Sequence, residues 1–112
     1  MPAPIDLTAL SQMLGGDTSL VTMILEKFRA EIEGDISALA DLANSSDAEA
    51  IRALAHRLKG TCSNAQAMPL SNVAKALQTA TSGGGVSQAP DLIEKLEMER
   101  QLLEKYLVEQ GY

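Results

Sequence analysis

Apolar residues recur at spacings of three and four along most of the chain, which is the pattern of amphipathic α-helices. The spacing predicts five helices, the first of them short and the second long, over residues 6–14, 17–45, 46–66, 69–81 and 92–107. Period-two alternation, the mark of a half-buried strand, does not occur in the sequence. The predicted fold class is therefore all-α: an antiparallel four-helix bundle with a short additional N-terminal helix, in one domain over residues 1–112.

Turn and capping residues set the predicted helix boundaries. Gly15-Gly16 ends the first helix, Asp17 caps the second, and Ser46-Asp47-Ala48-Glu49 fits a capping box that begins the third. Met68-Pro69 separates the third and fourth helices and puts proline at the favoured first helical position. The glycine-rich segment Ser82–Ala89 is the one long loop, and it is not a domain boundary.

Two of the apolar stripes matter for the fold that is expected. In the second helix the stripe keeps its phase across Gly34, which predicts one continuous helix and not two. Its members are Leu20, Val21, Ile24, Leu25, Phe28, Ile32, Ile36, Leu39 and Ala43. The stripe of the last helix comprises Leu92, Ile93, Leu96, Met98, Leu102, Leu103, Tyr106 and Leu107.

Composition narrows the class of protein. The 112 residues are 46% hydrophobic but only 3% aromatic, so aliphatic side chains must fill the core. A net charge of −6 argues against binding of nucleic acid through its phosphates. The single cysteine excludes an internal disulfide and favours a reducing compartment. Neither a signal peptide nor a membrane-spanning apolar run is visible, so the expected location is the cytoplasm.

The third helix carries the only histidine of the chain on its outward face. Helical geometry places His56 about 150° from the middle of an apolar stripe. That stripe consists of Ile51, Leu54, Ala55, Leu58, Cys62 and Ala65. The outward face beside the histidine holds Arg52, Gly60 and Ser63, with Lys59 at its flank.

A lone exposed histidine is ordinarily just a solvated residue, but its neighbour Gly60 needs another explanation. Glycine inside a helix costs about 0.5–1 kcal/mol relative to alanine, and the apolar stripe continues past it. The remaining reason is that something approaches the backbone closely there. Lys59 adds a positive charge within one turn, which suits an anion held beside the imidazole. These residues favour an exposed nucleophile that carries or contacts a phosphoryl group.

The run His56-Arg57-Leu58-Lys59-Gly60, followed by the small residues Thr61, Cys62 and Ser63, resembles the H-x-L-K-G signature of histidine phosphotransfer (HPt) domains. The resemblance extends through Pro69, Leu70, Leu77 and Gln78, and more loosely to the helix of Phe28. HPt sequences commonly carry glycine where this chain has Gln66. This departure bears on how closely the next helix or a docking partner can approach there.

The resemblance implies a phosphorelay intermediate that passes a phosphoryl group between aspartates of receiver domains. Its expected partners are a hybrid histidine kinase and the receiver domain of a response regulator. It implies that His56 carries the phosphoryl group, that Lys59 offsets its charge, and that Gln78 hydrogen-bonds the ring. Gly60 and Ser63 leave room for the partner, and Arg52 either assists electrostatically or only aids solubility. No cofactor of its own is expected, since Mg²⁺ belongs to the receiver, and a self-contained bundle predicts a monomer.

Other functional classes find less support in the sequence. One histidine and one cysteine fall short of a metal site, and the motifs of serine hydrolases and of P-loop ATP binding are missing. An enzyme with a site inside the bundle would need inward polar groups, which the apolar stripes lack. The alternative that stays open is an adaptor bundle that binds a protein partner without covalent chemistry, although it leaves Gly60 unexplained.

Overall fold

The computed structural model describes residues 3–112, which form five α-helices and no strand. The helices are α1 (Leu7–Met13), α2 (Thr18–Asn44), α3 (Ala48–Asn64), α4 (Met68–Thr81) and α5 (Ala89–Glu109). Their number and order confirm the prediction. The long helix α2 runs without interruption through Gly34, as the phase of its apolar stripe indicates.

The four longer helices form an antiparallel bundle in which each helix packs against two others. Helix α2 packs against α3 and α5, and α4 completes the square by packing between the same two helices. Helices α3 and α5 therefore occupy diagonally opposite corners, and in residues 3–112 their Cα atoms stay more than 8 Å apart. The short helix α1 lies against α2.

The core is almost wholly aliphatic, as the composition requires. Its fully buried large side chains are Ile5, Leu10, Leu25, Ile32, Leu39, Ile51, Leu58, Leu70, Leu77, Leu96, Leu103 and Leu107. Phe28 is the aromatic residue among the buried side chains of the described chain. Burial of each such leucine contributes about 1.5–3 kcal/mol relative to exposure, so the bundle is held mainly by these stripes.

Three aspartates cap the first three helices, and this corrects one predicted boundary. Asp6 accepts a hydrogen bond from the Ala9 amide at 3.0 Å and Asp17 accepts one from the Ser19 amide at 2.9 Å. At the start of α3 the cap is Asp47, which accepts from the Ala50 amide at 3.1 Å.

The predicted capping box of Ser46 and Glu49 is therefore wrong. Ser46 adopts the left-handed conformation, with φ of 54°, and ends α2 instead of beginning α3. The Asp47 amide donates to the Leu42 carbonyl at 3.3 Å, which closes the C-terminal turn of α2 over Ser46. Glu49 is bound to Arg52 and does not reach back to the cap. Helix α4 also begins one residue earlier than predicted, so Pro69 is its second residue and not its first.

Two apolar positions of α5 that the sequence assigns to its buried stripe are exposed. The exposed fractions are 58% for Met98 and 50% for Leu102. Leu103, by contrast, is fully buried. Leu102 and Met98 lie about 100° and 140° around the helix from Leu103, beyond the width of the buried face. Leu20 of α2 is exposed for the same reason, since its neighbour Val21 takes the buried position.

The last helix is also tied to α2 by a polar clamp. The Arg29 side chain donates through Nε to Glu104 at 2.9 Å, and its Nη2 makes a second bond to the same carboxylate. Its Nη1 donates to the Tyr112 carbonyl at 2.8 Å. The guanidinium lowers the pKa of Glu104, chiefly through the hydrogen bond and also through its charge. The clamp therefore holds the C-terminal residues of the bundle in place.

Candidate functional site

Helix α3 holds His56 at its midpoint, on the face opposite the core. The helix buries Ile51, Ala55 and Leu58 and exposes the histidine, as the wheel geometry predicts. His56 follows Ala48 by eight residues and precedes Asn64 by eight. Hydrogen bonds at both ends of a helix fray first, so the central turn is the least mobile part of α3.

Gln78 of α4 reaches the histidine ring, as predicted. Its side-chain nitrogen Nε2 lies 3.1 Å from Nδ1 of His56. The neighbouring residue Leu77 is fully buried and anchors this turn of α4 against the core. Gln78 is thereby held at the edge of the α3–α4 contact, from which its side chain extends across to α3.

The contact turns the Nδ1 edge of the ring toward α4, and Nε2 lies on the other side of the ring. When the Gln78 amide has its nitrogen toward Nδ1 of His56, it donates a hydrogen bond to that atom, and the ring proton is then on Nε2 of His56. When the Gln78 amide is turned by 180°, its Oε1 accepts a hydrogen bond from Nδ1–H of His56, and the lone pair on Nε2 of His56 is then free. The two orientations have the same shape, and only the second leaves Nε2 nucleophilic.

Lys59 lies one turn beyond His56 and is half-buried. The ion pairs among residues 3–112 do not include it. Its backbone carbonyl accepts a hydrogen bond from the hydroxyl of Ser71 at 3.0 Å. Ser71 is a buried polar residue of α4 that the sequence analysis missed, and it fixes α4 to α3 beside the reactive turn. Its position three residues before the buried Ala74 is the signal that could have identified it.

Arg52 lies one turn before His56 and is already paired. Its Nε and Nη2 both donate to the carboxylate of Glu49. This hydrogen bond, together with the charge of Arg52, lowers the pKa of Glu49. The cation expected to assist the histidine is therefore held by a carboxylate on the N-terminal side, away from the ring.

Arg57 makes a second ion pair, which the sequence analysis missed. Its Nη2 donates to Oδ1 of Asp35 at 2.7 Å, across the α2–α3 interface. The side chain of Asp35 is only 9% exposed, whereas that of Arg57 is 63% exposed. Oδ2 of Asp35 is buried and has no hydrogen-bond partner in the described part of the chain. An acidic residue beside the buried Ile36, at the edge of the apolar stripe of α2, was the available signal.

Gly60 and Ser63 continue the face of His56 toward the end of α3. Beyond the backbone of its own helix, a Cβ added at Gly60 would meet no atom of residues 3–112 within 4 Å, so packing there does not require glycine at this position. Ser63 is half-buried, two turns from the histidine. The space above Gly60 is open, as expected for a face that another molecule approaches.

Gln66 stands in the left-handed conformation, with φ of 66°, just after α3. The Ala67 amide donates to the Cys62 carbonyl at 2.9 Å and closes the C-terminal turn of the helix over it. Backbone conformation therefore explains the preference for glycine here, since left-handed φ strains residues that carry a Cβ. The expectation that this position governs close approach of the next helix or a partner finds no support in this geometry.

Cys62 belongs to the core and not to the site. The thiol is fully buried beneath α2. Burial raises its pKa to about 12, and the charges of Asp35 and Glu31 add to the effect. The thiol therefore stays protonated and unreactive at neutral pH, in agreement with its place on the apolar stripe.

Comparison with known proteins defines the class to which this fold and site belong. The sequence model of the Hpt domain family matches residues 23–107. The chain therefore belongs to the Hpt domain family, and it is a histidine phosphotransfer protein of phosphorelays. Members of the family are phosphotransfer intermediates that interact with receiver domains and kinases.

A solved structure extends the likeness over the whole chain. The histidine-containing phosphotransfer protein B (HptB) from Pseudomonas aeruginosa PAO1 is similar with a TM-score of 0.88 and 27% sequence identity. The match covers 100% of this chain and 99% of that one. Among curated proteins no match is found. In residues 3–112, no helix is both long enough and apolar enough to span a bilayer.

Proposed function

We propose that His56 is the residue that carries the phosphoryl group between receiver domains. The observation that carries this assignment is the 3.1 Å contact between Nδ1 of His56 and the side chain of Gln78. It orients the ring on an exposed and rigid helical face and leaves the opposite nitrogen, Nε2, directed away from α4. An exposed histidine without such a partner would rotate freely and would present either nitrogen.

The bonds that form and break in the proposed transfer lie in this ring and in the groups of the partner. The Nε2 lone pair attacks the phosphorus of an aspartyl phosphate on a receiver, in line with the bond to the leaving oxygen. The phosphorus–nitrogen bond forms as the phosphorus–oxygen bond breaks, and the free aspartate carboxylate is regenerated on the receiver. This step uses the orientation of the Gln78 amide that places Oε1 at the ring, in which the Nδ1 proton of His56 stays in place. The reverse sequence of steps delivers the group to a second receiver, and Mg²⁺ is supplied by the receiver in both cases.

Residues around the histidine have distinct roles in this proposal. Lys59 offsets the charge of the incoming phosphoryl group, and it is the flanking cation that is not paired with a carboxylate in the described structure. The open space above Gly60 admits the receiver, and the small side chain of Ser63 does not obstruct its approach. Arg52 can contribute its charge to the site only when its hydrogen bonds to Glu49 are broken.

The partners in this proposal are a hybrid histidine kinase as donor and a response regulator as acceptor, both through their receiver domains. The chain acts without ATP-dependent kinase activity and without a cofactor of its own. The proposed compartment is the cytoplasm, because the ATP-driven kinases that feed such relays and their response regulators act there.

Phosphoryl transfer from a labelled receiver domain tests the assignment directly. The wild type should acquire a label that is lost in acid and stable in base, as a phosphoramidate is, and His56→Gln should acquire none. Circular dichroism verifies that the variant is folded. Lys59→Ala should accept the label more slowly, since it removes the free cation. A label that persists on His56→Gln would refute the assignment, and unchanged binding of the receiver with no label on either protein would favour an adaptor.

A further inference from the structure

Helix α5 exposes an apolar surface that the proposed phosphotransfer does not use. Met98 and Leu102 are exposed there, and Tyr106 is half-buried beside them. Next to Leu102 and Tyr106 runs a groove of about 380 Å³, whose far wall is formed by Pro4 and Pro69. Exposed large apolar side chains at neighbouring positions of one helix indicate a surface that another molecule covers.

The residues of this surface are arranged symmetrically about Leu102. Four residues before it stands Met98 and four after it Tyr106, so both positions are apolar. Seven residues before it stands Lys95 and seven after it Glu109, so these positions carry opposite charges. We call these five residues the α5 seam. At the edges of the seam, Glu99 lies three residues before Leu102 and Lys105 three residues after it, so these two positions also carry opposite charges.

We propose that the α5 seam binds the α5 seam of a second copy of this chain. A two-fold axis through Leu102 makes the two helices antiparallel, so each residue meets the one at equal distance on the other side of the axis. Leu102 then meets its own copy, Met98 packs beside the partner's Tyr106, and Lys95 faces the partner's Glu109. Each charge pair lies about 10 Å from the axis, at the rise of an α-helix. Parallel pairing would instead bring like charges together.

The size of the surface sets the strength of this contact. One helix against one helix, with three apolar residues from each copy, falls below the roughly 1,200 Å² of a stable specific interface. We expect a weak dimer, with a Kd on the order of 100 µM. This departs from the simple monomer that the sequence analysis predicts, although the single bundle dominates at micromolar concentration.

The dimer leaves both phosphotransfer faces free. Helix α5 stands at the corner of the bundle diagonally opposite α3, which carries His56. A receiver domain can therefore dock on each copy while the two copies are joined. The inference does not rest on the proposed role of His56, because it uses residues of α5 alone.

Disulfide trapping tests the two-fold axis. Leu102→Cys should form a covalent dimer under mild oxidation at high protein concentration, because position 102 meets its own copy. The matched control is Val108→Cys, which is somewhat more exposed (62%) than position 102 (50%) but lies about 120° around the helix from the seam. The native Cys62 does not interfere, since it is buried and its pKa is raised to about 12. Crosslinking of Leu102→Cys no faster than that of Val108→Cys would overturn the proposal.

Charge reversal tests the pairing across the axis by sedimentation equilibrium. Lys95→Glu should raise the dimer Kd about tenfold, because it replaces two attractive pairs by two repulsive ones. Glu109→Lys should do the same, and the double variant should restore the wild-type Kd. A wild type that is monomeric at 10 times the expected Kd, or a double variant no tighter than the single ones, would also overturn it.

Discussion

The ion pair between Asp35 and Arg57 predicts that its two members contribute unequally to stability. Arg57→Ala removes the donor from a carboxylate that is almost wholly buried and whose second oxygen already has no partner among residues 3–112. Asp35→Asn removes the buried charge but keeps its shape and an oxygen that still accepts from Arg57. The guanidinium loses little in that case, because 63% of its side chain is in contact with water.

The magnitudes follow from these two environments. Breaking a fully buried pair from one side costs about 3–5 kcal/mol. Since Arg57 is largely solvated, the bond is worth less than that limit, and we expect Arg57→Ala to lower the free energy of unfolding by about 2 kcal/mol. Asp35→Asn exchanges a charge-assisted hydrogen bond for a neutral one and ends the burial of a charge, so its cost should stay below about 1 kcal/mol.

Urea denaturation followed by circular dichroism measures both values, and the double variant completes a mutant cycle. In the double variant the cost of losing Arg57 should largely disappear, because no buried charge remains to be left unpaired. Arg52→Ala is the matched control, since it breaks an exposed pair on the same helix. A cost for Asp35→Asn equal to or greater than that for Arg57→Ala would refute the reasoning.

Three further predictions concern the site and the fold. Glu49→Gln frees Arg52 one turn from His56, so the transfer equilibrium with a phosphorylated receiver should shift toward phosphorylated His56 by about two- to fivefold. As a control, Glu97→Gln breaks the corresponding pair with Arg100 on α5 and should leave this equilibrium unchanged. Gln66→Gly should raise the free energy of unfolding by about 0.5–1 kcal/mol in urea titrations, because it relieves the left-handed strain at the end of α3, and a loss of stability would contradict that account. The pKa of Glu104 is lowered in the folded protein, so its stabilising effect is complete above its ordinary pKa and is lost as the pH falls through the lower folded value. The difference in stability between wild type and Glu104→Gln should therefore shrink as urea titrations move from pH 6 to pH 3, and a difference that grows would contradict the assigned direction.

The sequence predicted what depends on local spacing. The continuity of α2 and the exposure of His56 both follow from the period of the helix, and the structure has both. The resemblance to HPt domains supplied Gln78, whose place on the adjacent helix was then readable from the stripe around Leu77. Such features are encoded by residues a few positions apart, or by a motif that already fixes which helices are neighbours.

What the sequence could not supply depends on contacts between distant segments or on competition between neighbours. Asp35 and Arg57 are 22 residues apart, and only packing of α2 on α3 brings them together. Ser46 and Asp47 are both good capping residues, and the choice between them depends on how α2 ends. The apolar residues Met98 and Leu102 fit the spacing of a buried stripe, but they lie beyond the width of the face that α5 buries.

The place of His56 at the midpoint of α3 bears on how this protein tolerates thermal motion. Local opening of a helix begins at its ends, and eight residues separate the histidine from either end. Partial opening at the ends of α3 therefore leaves the imidazole where it was, and only cooperative unfolding displaces it. The fraction of the protein that can accept the phosphoryl group should then remain almost constant on heating until the bundle melts. It should fall in the same single transition as the fold. Each molecule is therefore either folded with the imidazole in place or unfolded and unable to accept the phosphoryl group.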